Sequence, residues 1–274
     1  MSVSHPVART AFYCCALRAN DAAGPRAVCG DTLAARFLDD EARRSVEPLL
    51  RLRAPAASNV ARHRVVDDLL RRSLAEDPSR RVILLGAGFD TRAFRLSGGR
   101  WWEIDDAQLL EFKEARLPAS TAPNPLTRVP VDFVRERVAD RLAPLAGSDR
   151  AVVVLEGVTM YLDEPVLAAL AVTLRDTLPA ATVICDLMSP GFARTFSRPL
   201  RSELARLGAT FASHARHPRH LFEAAGYAVV ERYSIPGRAR DEGTLKVPGW
   251  LFHTALRGLR DGYALYVFRQ AQPR

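Results

Sequence analysis

Residues 81–92, Arg81-Val82-Ile83-Leu84-Leu85-Gly86-Ala87-Gly88-Phe89-Asp90-Thr91-Arg92, run an apolar strand into a glycine turn followed at once by an acid. Gly86 and Gly88 can take backbone conformations that a side chain would forbid, so a bound cofactor can approach the chain closely just before a helix begins. The end of the turn argues against a dinucleotide. That fingerprint wants a small residue where Thr91 stands, and a helix start that receives pyrophosphate would be opposed by Asp90. S-adenosylmethionine carries no phosphate and presents an ammonium and a sulfonium, so a carboxylate beside the turn suits it better than NAD. Asp90 alone reads equally well as a cap on the short helix after the strand.

Outward from this turn the chain divides in two. Up to about residue 76 the pattern is helical. It begins with Thr10 to Asn20 and resumes where Asp31 is placed to cap a segment with Leu33, Ala34, Phe37 and Leu38 on one face. Ala54-Pro55-Ala56-Ala57 reads as a break, after which Ser58 opens a helix with Val65, Val66, Leu69 and Leu70 as its buried stripe. Asp67–Arg71 and Asp68–Arg72, at four-residue spacing, read as its solvated face. The expected division is an N-terminal helical cap over 1–76 and a core over 77–274. From Arg81 strands alternate with helices: Val82–Leu85, Trp101–Ile104, Arg128–Val131, Ala151–Leu155, Thr182–Cys185, Ala228–Arg232 and Ala264–Phe268. Alternation predicts an α/β fold, a seven-stranded and mostly parallel sheet with helices on both faces and an antiparallel final strand. Ala151–Leu155 is apolar at every position, as a central strand buried on both sides should be. Asp163 is placed to cap a helix carrying Val166, Leu167, Leu170 and Leu174. Ser189–His217 reads as an insertion that could cover the site as a lid.

Composition narrows the function classes. Of the 39 basic residues only Lys113 and Lys246 are lysines, and the net charge is +8. The arginines are scattered among Asp and Glu, whereas a phosphate-binding surface clusters its charge, so nucleic acid is not an expected partner. Cys14, Cys15, Cys29 and Cys185 form no C-x-x-C pair, which points away from a zinc site or a disulfide framework. No apolar run reaches the ~20 residues that span a bilayer, and no leader pattern opens the chain. A cytoplasmic location and no membrane partner are expected.

Ligands of open α/β sheets sit beyond the carboxyl ends of the strands, and four of those ends carry an acid. They are Asp90 after the first strand, Asp105 in Trp102-Glu103-Ile104-Asp105-Asp106, Asp132 in Val131-Asp132-Phe133, and Glu156 in Leu155-Glu156-Gly157. Asp105 stands about 20 positions after Gly86, where such folds place a carboxylate on ribose hydroxyls. Asp132 and Phe133 are then placed for adenine, and Glu156 for the methionine end. Trp101 and Trp102 read as packing residues. His217-Pro218-Arg219-His220 reads as a helix entry with surface histidines, and no metal is expected because acids at ligand spacing are missing beside it.

The blocks Leu85-Gly86-Ala87-Gly88-Phe89-Asp90-Thr91-Arg92, Glu103-Ile104-Asp105, Val131-Asp132 and Glu156-Gly157-Val158-Thr159-Met160-Tyr161-Leu162, with Arg62-x-Arg64-x-x-Asp67-Asp68 before them, together resemble the leucine carboxyl methyltransferase family. Within it the chain looks more like the bacterial branch that includes polyketide carboxyl O-methyltransferases of the tetracenomycin type. The resemblance implies a Rossmann-like class I methyltransferase core that binds S-adenosyl-L-methionine and releases S-adenosyl-L-homocysteine. It implies Arg62 against the cofactor carboxylate, Gly86 at the turn, Asp105 on the ribose, Asp132 and Phe133 at the adenine, and Glu156 near the ammonium. Relatives commonly carry Arg-Thr-Arg where this chain has Arg62-His63-Arg64, which leaves open whether Arg62 or Arg64 faces the cofactor.

The expected chemistry is methyl transfer to an oxygen, as in secondary metabolism, with a small-molecule acid as the leading acceptor. A carboxylate is already ionised at neutral pH, whereas a phenol with pKa near ~10 needs a base. Tyr161 is the candidate for orienting the substrate. A hydroxyl or phenol acceptor is the alternative, and a non-catalytic cofactor-binding protein on the same scaffold is a further one. A nucleic-acid amino-methyltransferase is disfavoured, because Glu156-Gly157-Val158-Thr159 stands where such enzymes carry Asn/Asp-Pro-Pro-aromatic.

Overall fold

The computed structural model describes residues 6–131, 138–147, 150–212 and 216–271. Helices α1 (Pro6–Ala23), α2 (Asp40–Leu50) and α3 (Arg53–Glu76) precede β1 (Arg81–Leu85), α4 (Arg92–Arg95), β2 (Arg100–Asp105), α5 (Ala107–Arg116) and β3 (Leu126–Pro130). Then come α6 (Val138–Leu142), β4 (Ala151–Leu155), α7 (Glu164–Thr177), β5 (Thr182–Met188), α8 (Pro190–Thr195), α9 (Arg198–Arg206) and α10 (Arg219–Ala224). Strand β6 (Tyr227–Ser234) is followed by α11 (Ile235–Asp241), α12 (Gly249–His253) and α13 (Arg257–Asp261), and β7 (Tyr263–Gln270) ends the sheet.

All seven expected strands form one sheet of order β3-β2-β1-β4-β5-β7-β6. Only β7 runs against its neighbours, pairing antiparallel with both β5 and β6. The order reverses between β1 and β4, the crevice at which open α/β sheets hold their ligands. Both of those strands are buried at every position, because helices cover both faces. Ile83, Leu85, Val153 and Leu155 face the cluster built by α6, α7 and α10. Val82, Leu84, Val152 and Val154 face the one built by α3, α4 and α11, the period-2 alternation of a strand. A third cluster joins α1, α2 and α9 to Phe89 and α5.

Two readings of the helical segment change. Helix α3 begins at Arg53 and runs through Ala54-Pro55-Ala56-Ala57, since a proline in the first turn gives up an N–H that would have had no helical partner. Asp31 caps no helix: the segment after it is one 3-10 turn, Ala34–Phe37, and its buried side chain is used elsewhere. Asp163 does cap α7, accepting from the Val166 N–H at 2.9 Å. No helix among the described residues is long and apolar enough to cross a membrane, and the four cysteines are free.

Candidate functional site

At the β1/β4 crevice lies a cavity of about 760 Å³, walled by the glycine turn, the ends of β2 and β4, and residues of α1 and α3. Gly86 has φ +70°, and a Cβ there would stand 2.3 Å from Val158 Cγ2, so the turn tolerates only glycine at this point. Gly88, at φ +48°, donates its N–H to Asp105 Oδ2 at 2.6 Å. Asp105 Oδ1 accepts from the Asp106 N–H at 2.7 Å. Each oxygen keeps a lone pair for a ligand, and burial pushes the carboxyl up to about 6 against those two hydrogen bonds.

Beside the turn lies a dry seam of charge. Arg62 Nε meets Glu156 Oε1 at 3.1 Å, and its Nη1 meets Asp186 Oδ2 at 3.3 Å and donates to the Tyr263 hydroxyl at 2.7 Å. Arg92, with no exposed surface, reaches Asp67 and Asp90 at 2.5 Å each and Glu156 Oε2 at 2.8 Å. Arg95 binds Asp67 Oδ2 at 2.9 Å. Arg18 joins Asp31 at 2.9 Å to the Phe89 carbonyl at 2.7 Å, and Thr91 Oγ1 donates to Asp31 at 2.6 Å. The cap helix α1 is thereby tied to the glycine turn. Arg71 reaches Asp67 Oδ2 at 3.4 Å from the outer side, so five arginines meet five carboxylates, and of these carboxylates Asp90 and Glu156 border the cavity.

His63 sits inside the seam with Nδ1 2.7 Å from Arg92 Nη2 and Nε2 2.9 Å from Arg95 Nη2. A neutral imidazole has one donor and one acceptor nitrogen. Both ring nitrogens face guanidinium donors, and Nδ1 also lies 3.3 Å from Glu156 Oε2, so the tautomer sets whether Nδ1 accepts from Arg92 or donates to Glu156. Burial, then the Arg92 charge, hold its pKa below the usual histidine value, although the nearby carboxylates oppose them. Glu156 is held well below the usual carboxylate range, because Arg92, His63 and Arg62 outweigh the cost of burying it.

Of the residues singled out in the sequence, Arg62, Gly86, Gly88, Asp105, Glu156 and Tyr161 all line this one cavity. Asp132 and Phe133 lie outside the described residues. Arg62 faces the cavity, while Arg64 turns outward to Asp68 at 2.8 Å. Thr91 and not Asp90 stands at the N-cap of α4; Asp90 accepts from the Arg92 N–H at 2.7 Å and pairs with its guanidinium, so its charge is met by the protein itself. Asp67 is not on a solvated face but fully buried between Arg92 and Arg95. Tyr161 packs edge-on against Phe211, ring centroids 5.6 Å apart. Its hydroxyl shares a hydrogen bond with Thr10, and burial raises its pKa far above the ordinary phenol value. Ligating atoms of His63, Asp90 and Glu156 lie within 4.8 Å of one another, but Arg92 already pairs with both carboxylates, lies 2.7 Å from the ring Nδ1 and supplies the cation. Sequence reasoning missed Arg18, Asp186 and Tyr263. The one available signal was an acid, Asp186, inside an otherwise apolar strand.

Comparison with known proteins identifies the family and the fold. The family model of leucine carboxyl methyltransferase matches residues 11–174. Two proteins of Streptomyces coelicolor, both provisionally named S-adenosyl-L-methionine-dependent methyltransferases, are similar. One is 39% identical over 227 residues, covering 78% of this chain and 65% of its own. The other is 32% identical over 225 residues, covering 72% and 68%. A Frankia alni protein with the same provisional name is 44% identical over 115 residues, 39% of each chain. The chain thus spans less than two thirds of the length of the Frankia relative and of the first Streptomyces one. Among solved structures, one from Thermobifida fusca, provisionally titled a methyltransferase, aligns with a TM-score of 0.58 at 14% identity, over 88% of this chain and 94% of its own. A DUF574-family protein of Streptomyces avermitilis aligns at 0.56 and 14% identity, over 93% and 96%. At that identity the likeness is one of fold.

Proposed function

The chain belongs to the leucine carboxyl methyltransferase family, and from that membership we propose that it is an S-adenosylmethionine-dependent O-methyltransferase forming the methyl ester of a small natural-product carboxylic acid. When bound, the cofactor supplies an electrophilic methyl group on sulfur. The donor set of the cavity fits it: a buried carboxylate with free lone pairs at Asp105 for the ribose hydroxyls, Arg62 for the methionyl carboxylate, and Glu156 for the ammonium. Asp132 and Phe133, at the next strand end in sequence, complete the proposal at the adenine.

One observation carries the choice of acceptor. Among the described residues of the cavity wall, the acids and bases of the seam are all engaged. Glu156 and Asp90 are held by guanidinium groups, and both ring nitrogens of His63 lie against guanidinium groups. Tyr161 keeps its proton. Asp106 and Asp163 cap helices. An acceptor that arrives ionised needs none of them, whereas a hydroxyl of pKa near ~10 would need a base. Tyr161, α1 and Ala212 of the 189–217 segment also line the cavity and would hold the acid in line, where positioning supplies much of the rate. The test offers the protein acid and hydroxyl forms of one aromatic scaffold with methyl-labelled cofactor. Base-labile label on the acid form is expected. Base-stable label on the hydroxyl form would make this a phenol methyltransferase, and cofactor binding without turnover on any acid would leave only a binding protein.

A further inference from the structure

Arg62 is held on two of its three nitrogens. Nε goes to Glu156 and Nη1 to Asp186 and Tyr263, while Nη2 has no hydrogen-bond partner among the described residues and lies beside Gly157. A Cβ built on that glycine, at φ +73°, would come within 2.9 Å of Nη2. Tyr263 also donates its own proton to Asp186 Oδ2 at 2.7 Å, and Asp186 Oδ1 accepts from the Gly157 N–H at 2.7 Å. Both side chains are buried, and neither lines the cavity. They come from adjacent antiparallel strands, Asp186 on β5 and Tyr263 at the start of β7. Arg62 comes from α3, so three distant segments meet at one guanidinium. Burial keeps Tyr263 protonated far above the ordinary phenol range, against the pull of Arg62, so its O–H remains a donor to Asp186 at every working pH.

We propose that Asp186 and Tyr263 are positioning residues that fix the Nε and Nη1 edges of Arg62 and so aim the remaining nitrogen, Nη2, at the carboxylate of the cofactor's amino-acid end. This rests on the cofactor reading above. It adds that recognition of the amino-acid end, as distinct from the adenosine end, depends on the last strand of the sheet. A guanidinium left to rotate would still neutralise its neighbours but would lose the fixed fork geometry that makes an arginine–carboxylate contact strong.

Calorimetry with two ligands separates these roles. S-adenosylhomocysteine carries the amino-acid carboxylate, and 5′-methylthioadenosine lacks that end. The wild-type protein should bind both. Tyr263→Phe, which removes one oxygen, should weaken S-adenosylhomocysteine about tenfold, the scale of one hydrogen bond to a charged group, and leave methylthioadenosine within twofold. Asp186→Asn should show the same selectivity and serves if Tyr263→Phe does not fold. In an Arg62→Lys background, adding Tyr263→Phe should change S-adenosylhomocysteine binding no further, because the phenol acts only through the guanidinium. Equal losses for both ligands, no loss for either, or an undiminished effect of Tyr263→Phe on the Arg62→Lys protein would each overturn the proposal. Wild-type protein that binds neither ligand would overturn the cofactor reading itself, and the clamp with it.

Discussion

Two regions of this protein are equally dry and are built on opposite principles. Behind the sheet, Val153, Leu174 and Phe222 have no exposed surface and meet only apolar neighbours. Across the strand ends, Asp31, Asp67 and Arg92 have none either, yet each is charged and bound to several partners. The apolar region gains from every methylene it hides and forgives a change of shape that keeps volume. The charged seam gains little net energy from its ion pairs, because desolvation offsets much of the attraction, but removing one member leaves the others stranded. The first region holds the sheet together. The second fixes directions, those of Arg62, Glu156 and the glycine turn, along the wall of the cavity.

The largest expected effect lies in the seam. Arg92→Ala would leave Asp67, Asp90 and Glu156 facing one another without their shared cation, at a cost of about 3–5 kcal/mol of stability in urea unfolding. Leu174→Ala, the matching cut in the apolar region, should cost about 2–5 kcal/mol. The comparison breaks if Arg92→Ala proves the milder of the two. It sharpens if Leu174→Ala protein, at temperatures where it stays folded, binds S-adenosylhomocysteine as wild type does while Arg92→Ala does not.

The same contrast explains what could be read from the sequence. Apolar periodicity is local, so the seven strands, the buried β4 and the Asp163 cap followed from neighbouring residues. The acids at strand ends were legible because the fold places ligands there. Asp31 and Asp67 were misread as a cap and a solvated face because their true partners are remote, Thr91 lying 60 residues from Asp31 and Arg92 25 residues from Asp67. The meeting of Asp186 and Tyr263 at Arg62 was invisible for the same reason, even though Asp186 stands out as an acid in an apolar strand: the sheet order, which sequence spacing does not encode, brings them together.

A smaller effect isolates the ligand-facing part of the seam. Asp105→Asn keeps the size of the side chain and removes a charged acceptor, so S-adenosylhomocysteine should bind more weakly by roughly 1–3 kcal/mol. Because the Asp105 carboxyl is pushed up to about 6, wild-type affinity should also fall as the pH drops below that value, by up to tenfold per unit, and the Asn variant should lack this dependence. An Asn variant with unchanged affinity would show that the ribose sits elsewhere.

The smallest effect is a cancellation. His63 is held below its ordinary pKa, so under about pH 6.5 the unfolded chain takes up a proton that the folded one refuses, and stability falls as pH falls. Asp105 works the other way. Its carboxyl, raised to about 6, is protonated in the folded state before the unfolded state reaches its own pKa near ~4, so stability rises as pH falls. Asp31, held at about 2, and Asp67 and Glu156, both held low, begin to matter only under the unfolded carboxylate range. The two slopes oppose each other, so the wild-type unfolding energy should change less with pH than that of a protein lacking either group. Asp105→Asn should uncover a loss of stability as pH falls below about 6.5, and His63→Gln should uncover a gain as pH falls through about 6. If both variants unfold with the pH profile of the wild type, the two buried groups are not the opposed pair that the seam makes of them.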